Sequence, residues 1–200
     1  MNERSLDGLR VLVTRPRAQA AALVDALEAR GAVAVTVPVI EITDPDDGGA
    51  ALRAALAGLV DGDWLVVTSP NGATRVGRAI ETVGPAGGFR VAAIGPGTRA
   101  RCEAVGLTVA LVPDRSVAEG LAAVFPDPPT EGGRVVLARA AVAREVLPEA
   151  LVARGWTVDD VTAYRTVAVD VDEQGRIAAA SADAVAFTSS STVTHLVDAV

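Results

Sequence analysis

The fold is decided by the segment WLVVTSPNG at residues 64–72, which has a second copy, AVAFTSSST, at residues 184–192. Each copy is an apolar run followed by small polar residues and a segment with helical periodicity. This pattern predicts a buried strand, a turn and a helix N-terminus. Such a turn directs backbone N–H groups and hydroxyls to the space above the sheet, where they can bind an anion. Two such turns predict two similar lobes that face one ligand.

The repeat is broader than this segment. VLVTR at residues 11–15 corresponds to VVLAR at residues 135–139, and both are followed by a predicted helix that ends at an Arg-Gly pair. Strands and helices alternate along the chain, which predicts an α/β fold with parallel sheets and an internal duplication. The second copy is expected to be unfinished, because no later segment corresponds to IGPGT at residues 94–98.

The composition excludes several classes of chemistry. All 18 basic residues are arginine, so a Schiff-base lysine and a P-loop lysine are excluded. One cysteine, Cys102, and one histidine, His195, exclude a disulfide framework and a Cys/His zinc site. The net charge of −7 argues against nucleic acid as a partner. With no apolar run that predicts a membrane helix or signal peptide, we expect a soluble cytoplasmic protein with no membrane partner.

Two arginines occupy the same place in the repeat. Arg15 and Arg139 each follow the C-terminal end of a predicted strand, which is where open α/β sheets bind ligands. Surface arginines are the alternative interpretation, and the repeated placement favours a binding role. Cys102 is expected in the core and His195 on a helix surface.

Other segments have two interpretations. GPGT at residues 95–98 is either a cradle for phosphate or carboxylate or a tight turn that needs glycine for a positive φ, and alone it favours the turn. Ser189 and Ser190 are either part of a helix cap or an anion site, and their register with residues 68–72 favours the anion site. Tyr164 is either a half-buried strand residue or a functional one. Ser116 is predicted to cap a helix over residues 117–125, with Glu119 completing a capping box.

Taken together, the motifs resemble the uroporphyrinogen-III synthase family over essentially the whole chain, through their order and spacing rather than through any single motif. In chain order they are VTRP at 13–16, WLVVTSPNG at 64–72, AIGPGT at 93–98, VP at 112–113, SVAEGL at 116–121, VVLARA at 135–140, VTAYRT at 161–166 and FTSSS at 187–191.

The resemblance implies an α/β fold of two Rossmann-like or flavodoxin-like parallel-sheet lobes, joined by a two-stranded linker, with the active site in the cleft between the lobes. Lobe one is expected to contain residues 1–37 and 170–200, and lobe two residues 43–163, with linker strands at 38–42 and 164–169. Family members commonly extend further, so the chain is expected to be a fragment or to have an incomplete lobe one.

The resemblance also implies a function. The family consists of cyclising lyases that convert hydroxymethylbilane to uroporphyrinogen III in heme biosynthesis, with loss of water, inversion of the terminal pyrrole ring and no cofactor or metal. The substrate is thus a linear tetrapyrrole, and the chain is expected to act as a monomer. The alternative function is a non-catalytic, two-lobed cytoplasmic binding or sensor protein for an anionic small molecule.

The same resemblance assigns roles to residues. Tyr164 matches the family tyrosine that is proposed to help the hydroxyl leave, as a hydrogen-bond donor rather than a strong acid. Further residues match family positions that face the cleft or occupy the anion-binding turns and strand ends described above. The predicted substrate-binding set is Arg15, Ser69, Asn71, Thr98, Arg139, Ser189 and Ser190.

Overall fold

The computed structural model describes residues 6–84, 87–130 and 132–199; residues 1–5 and 200 of the predicted lobe one lie outside them. The strands are β1 Arg10–Val13, β2 Val33–Thr36, β3 Ile40–Thr43, β4 Trp64–Val67, β5 Arg90–Ala93, β6 Val109–Leu111, β7 Arg134–Ala140, β8 Thr157–Ala168 and β9 Ala184–Ala186. The helices are α1 Arg17–Glu28, α2 Ala50–Ala57, α3 Pro70–Val83, α4 Pro96–Ala104, α5 Ala118–Val124, α6 Val146–Ala153, α7 Glu173–Ala180 and α8 Ser190–Ala199. Among these described helices, none has the length and apolar character that a membrane crossing requires.

The chain forms two compact units. The first contains Met1–Ile42 and Thr166–Val200, and the second contains Thr43–Arg165. Both divisions fall inside strands, the first within β3 and the second within β8.

The first unit contains a parallel three-stranded sheet in the order β2-β1-β9. Pro38 lies between β2 and β3, as expected for a residue that has no N–H to donate to a sheet ladder. The core of this unit consists of Leu12, Val37, Val39, Ile40, Val171 and Leu196.

The second unit contains most of a six-stranded sheet in the order β3-β8-β7-β4-β5-β6, in which β4, β5, β6, β7 and β8 pair in parallel. Helix α3 packs against α2 and α4, and α5 packs against α6. The central strands are buried on both faces, and Leu65, Val66, Val136 and Leu137 are each 0% exposed. This burial explains why β4 and β7 are continuous apolar runs instead of alternating ones. The α/β fold with parallel sheets that the sequence predicts is therefore confirmed.

The turn predicted at residues 95–98 is different in the structure. Pro96 begins α4 at the first helical position, where its missing N–H costs nothing, and Gly95 is extended with φ −175°. Neither Gly95 nor Gly97 has a positive φ, so that reason for the glycines is wrong. A Cβ on Gly95 would lie 2.5 Å from Ser116 Oγ, so glycine is needed there for close approach.

The predicted capping box is also wrong. Helix α5 begins at Ala118 after an extended Val117, and no side chain caps it. Ser116 therefore lies one residue too early to reach the free N–H groups of the first turn, and it packs against Gly95 instead. The Glu119 carboxylate forms an ion pair with Arg144.

Candidate active site

The sheet of the second unit contains a topological switch point. From β4 the chain continues to β5 and β6 on one side, and then returns to β7 and β8 on the other side of β4. Strands β4 and β7 are parallel neighbours, with Val67 opposite Ala138. Open α/β sheets bind ligands outside the carboxyl ends of the two strands at such a point. A ligand site is therefore expected at the residues after β4 and at the end of β7.

A cavity of about 270 Å³ opens at this point. Its walls come from the ends of β4, β5 and β7 and from α5 and α6, and they include Thr68, Ile94, Ser116, Leu137, Arg139 and Leu147. The lining combines apolar side chains with hydroxyl and guanidinium groups, and this combination is usual for a small-molecule site.

Tyr164 and Ser69 meet at the same edge of the sheet. The Ser69 hydroxyl donates a hydrogen bond to the Tyr164 hydroxyl oxygen over 3.0 Å. Ser69 is also the N-cap of α3, where its oxygen accepts a hydrogen bond from the Gly72 N–H, again over 3.0 Å. Tyr164 is only 7% exposed, so its hydroxyl is held in a protected position at the N-terminal end of a 14-residue helix.

Asn71 and Thr98 lie at the starts of two neighbouring helices. Asn71 is the second residue of α3, and Thr98 is in the first turn of α4, where it is 3% exposed. Because β4 and β5 are parallel neighbours, the helices that follow them begin at the same edge of the sheet. The structure thus brings Ser69, Asn71 and Thr98 to one edge, although Thr98 is too buried to present much surface.

Arg139 is 8% exposed and its guanidinium is bound within the unit. It donates to Asp160 through Nε at 2.6 Å and also through Nη2. The same Nη2 donates to Glu145 at 2.8 Å, and Nη1 donates to the carbonyl oxygen of Arg144 at 2.9 Å. These hydrogen bonds favour a structural role for Arg139, and its predicted contact with substrate stays a prediction.

The remaining predicted residues belong to the first unit. Ser189 Oγ accepts a hydrogen bond from the Thr192 N–H at 3.4 Å, with the same three-residue spacing as Ser69 and Gly72. Ser190 is the first residue of α8 and is exposed. Arg15 is half-buried, and the structure gives it no hydrogen bond or ion pair to a described residue. The structure describes Arg15, Ser189 and Ser190 in one unit and the other five predicted residues in the second.

Sequence reasoning missed Thr14, which precedes Arg15. Thr14 is 0% exposed, and its Oγ1 has no hydrogen-bond partner among the described residues. Strands β1 and β9 are parallel neighbours, so Thr14 and Arg15 lie at the same sheet edge as the turn that begins α8. A buried hydroxyl without a partner is uncommon and needs an explanation such as a bound ligand or water. The sequence does contain a signal for Thr14, because it is a polar residue at the end of an apolar strand.

The charged partners of Arg139 were also missed. Asp160 raises the pKa of Arg139 through its hydrogen bonds, against the opposing effect of burial, and Glu145 adds to the increase. Arg144 holds the pKa of Glu119 below its usual value. The sequence contains no local signal for these pairs, because their members come from different elements. Among the described residues, no three side chains of the His, Cys, Asp and Glu types are arranged as metal ligands.

The family model described as "Uroporphyrinogen-III synthase HemD" matches residues 21–200 of the chain. The chain belongs to the uroporphyrinogen-III synthase family. The family resemblance in the sequence motifs is therefore confirmed.

Individual relatives agree with the uroporphyrinogen-III synthase family. The chain is 30% identical over 200 residues to uroporphyrinogen-III synthase of Synechococcus elongatus, with 96% of this chain and 75% of the relative covered. It is 32% identical over 158 residues to a putative uroporphyrinogen-III synthase of Methanothermobacter thermautotrophicus, with 77% and 61% covered.

Solved structures of uroporphyrinogen-III synthases support the fold. A mutant enzyme from Thermus thermophilus has a TM-score of 0.66 at 22% identity, with 96% of this chain and 77% of that chain covered. The enzyme from Helicobacter pylori has a TM-score of 0.59 at 12% identity, with 96% and 78% covered. At these identities the likeness concerns the fold alone.

Proposed function

We propose that this chain is a uroporphyrinogen-III synthase that closes hydroxymethylbilane to uroporphyrinogen III, with loss of water and inversion of the terminal pyrrole ring. The observation that carries the proposal is that Tyr164, a buried residue, has its hydroxyl held by Ser69 at the N-terminus of α3 and at the switch point of the sheet. Membership of the uroporphyrinogen-III synthase family supplies the reaction.

The reaction requires two things from the protein: a hydrogen-bond donor to the departing oxygen, and control of the substrate's conformation. Loss of the hydroxymethyl oxygen as water leaves an electrophilic azafulvene, which the terminal ring must attack through its substituted carbon. A tyrosine hydroxyl can donate a hydrogen bond to the departing oxygen. In well-oriented intramolecular reactions, holding the reacting groups in one geometry contributes roughly 7 kcal/mol or more. Here the reacting groups are the two ends of the linear tetrapyrrole. Conformational control is therefore the main task that we assign to the protein.

The substrate is a polyanion, and each unit offers groups that suit carboxylates. In the second unit these are the N-terminus of α3 with Ser69 and Asn71, and the start of α4 with Thr98. Helix N-termini favour anions because their first N–H groups have no acceptor within the helix and the helix dipole is positive there.

In the first unit the corresponding groups are Arg15 and the N-terminus of α8 with Ser189 and Ser190. The Thr14 hydroxyl lies at the same sheet edge without a partner among the described residues, but at 0% exposure it is not counted among these groups. We propose that these groups bind carboxylates of the substrate.

We also infer that the chain contains a duplicated segment. The matching caps of α3 and α8, each with a serine that accepts a hydrogen bond from the residue three positions later, support this inference. The predicted lobes, residues 1–37 with 170–200 and residues 43–163, and the linker strands 38–42 and 164–169 belong to the same proposal. The monomeric state and the cytoplasmic location stay predictions.

The decisive experiment is an isomer assay. The protein is incubated with freshly prepared hydroxymethylbilane, the products are oxidised to porphyrins, and isomers I and III are separated by chromatography. We expect isomer III to form faster than isomer I forms in buffer alone. Isomer I alone, at the spontaneous rate, would reject the synthase and leave the non-catalytic binding protein, which a binding titration with the same bilane would then test.

A further inference from the structure

The hydrogen bonds around Ser69 have a direction. A serine hydroxyl has one proton to donate and two lone pairs to accept with. Ser69 Oγ accepts from the Gly72 N–H and donates its own proton to the Tyr164 oxygen. The Tyr164 hydroxyl makes no other hydrogen bond to a described residue, so its own proton is not committed to a partner in the described part of the chain.

We propose that Ser69 is a positioning residue that acts through Tyr164. By occupying a lone pair of the phenol oxygen, Ser69 leaves the phenol proton to point away from the protein and towards the leaving hydroxyl of the substrate. The inference rests on the proposed function, and it replaces a direct substrate contact as the main role of Ser69.

The position of Ser69 at a helix end strengthens this arrangement. The Gly72 N–H belongs to the first turn of α3, where the helix dipole adds positive potential. A hydroxyl that accepts a hydrogen bond becomes a better donor, because hydrogen bonds in a chain polarise one another. The hydrogen bond from Gly72 thus makes Ser69 a stronger donor to Tyr164.

The same hydrogen bond becomes more valuable as the reaction proceeds. The C–O bond breaks with its electron pair on the oxygen, and the phenol keeps its proton and donates a hydrogen bond to that oxygen as negative charge develops there. The pyrrole N–H proton passes to the same oxygen, so water leaves and the azafulvene forms. As the phenol hydrogen bond strengthens, the phenol oxygen gains partial negative charge, and the hydrogen bond that it accepts from Ser69 becomes stronger too.

The test uses Ser69→Gly, because glycine is tolerated at an N-cap at a cost of only a few tenths of a kcal/mol. We expect kcat for isomer III to fall roughly tenfold with little change in KM, since the hydrogen bond acts on the phenol that donates to the departing oxygen. In the Tyr164→Phe background the same substitution should not lower kcat further. The matched control is Asp172→Gly, which removes the N-cap that accepts from the Gly175 N–H at 2.7 Å in α7; Asp172 is not one of the predicted site residues.

A spectroscopic measurement tests the hydrogen bond between Ser69 and Tyr164 in the absence of substrate. The chain has a single tyrosine, so the tyrosine doublet in the ultraviolet resonance Raman spectrum comes from Tyr164 alone. The intensity ratio of this doublet depends on whether the phenol donates or accepts hydrogen bonds. We expect the ratio to change in Ser69→Gly and to stay the same in Asp172→Gly.

The outcomes separate the two proposals. An unchanged doublet, an unchanged kcat, or an equal loss of kcat with and without the Tyr164 hydroxyl would each overturn the positioning role while isomer III is still formed by the unaltered protein. If the unaltered protein forms isomer I alone, the proposed function fails, and a change in the doublet would then report a contact without a catalytic purpose and overturn the inference as well.

Discussion

Asp160 binds Arg139 at two points, with Nε donating to Oδ1 at 2.6 Å and Nη2 donating to Oδ2. The preceding residue, Asp159, binds Arg134 through one oxygen, Oδ2, which accepts from Nε at 2.8 Å and also from Nη2. Adjacent strand residues point to opposite faces of a sheet, so β8 holds one arginine of β7 on each face. The two carboxylates are nearly equally exposed, at 36% and 37%, but the side chain of Arg139 is 10% exposed and that of Arg134 is 28% exposed.

This difference predicts unequal costs for removing the two carboxylates. We expect Asp160→Ala to lower the free energy of unfolding by about 2 kcal/mol, because a nearly buried guanidinium loses its main partner and retains only Glu145 and a carbonyl oxygen. Asp159→Ala should cost about 1 kcal/mol or less, because Arg134 is better hydrated. Urea unfolding of both variants makes the comparison, and a larger cost for Asp159→Ala would contradict it.

The elements that the sequence predicted correctly are those with local signals. Apolar runs locate β4 and β7. The Ser69 turn is predicted because a similar segment follows at residues 184–192. In each case the neighbours in sequence are also the neighbours that determine the structure.

Other features depend on how distant elements meet, and the sequence could not supply them. The pairing of Arg139 with Asp160 depends on the register of β7 and β8, which shifts between Arg139 and Ala140. The need for glycine at position 95 arises from Ser116, which follows the next strand. The local sequence pattern predicts a positive φ as the reason for the glycine. In the structure, close packing against Ser116 is the reason that position 95 requires glycine.

Arg15 and Arg139 should respond differently to the same substitution. Arg15 has no hydrogen bond or ion pair to a described residue, so we expect Arg15→Gln to change stability by less than about 0.5 kcal/mol and to raise KM several-fold through loss of a carboxylate contact. Arg139→Gln should instead lower stability by about 2 kcal/mol, because Asp160 and Glu145 lose their partner.

The measurement combines the isomer assay, at varied bilane concentration, with thermal unfolding of both variants. A KM that rises more for Arg139→Gln than for Arg15→Gln would show that Arg139 contacts the substrate, and would reverse the roles inferred from the geometry. An unaltered KM in Arg15→Gln would remove Arg15 from the substrate-binding set.

Gly77 marks a close approach of α3 and α4. A Cβ at this position would lie 2.7 Å from the Cβ of Val105 and 2.9 Å from its Cγ1. Alanine is better than glycine inside a helix by about 1 kcal/mol, but overpacking of this kind costs about 1–3 kcal/mol. We therefore expect Gly77→Ala to destabilise the protein by about 1 kcal/mol or more in chemical unfolding. Adding Val105→Ala should recover part of the loss, and a Gly77→Ala protein as stable as the parent would refute the steric argument.

Cys102 gives the unfolding free energy a dependence on pH. Burial raises the pKa of its thiol from 9.0 to about 11, with a further increase from Glu103, and the side chain is 0% exposed. Between pH 9 and pH 11 the unfolded chain has lost the thiol proton that the native state still holds, so the unfolded state binds fewer protons and stability falls as the pH rises. The thiol should therefore contribute a loss of about 2 kcal/mol across this interval and none below it. Urea unfolding of the protein and of Cys102→Ala over the same pH range isolates this contribution as the difference between the two curves, and a difference that does not vary with pH would disprove it.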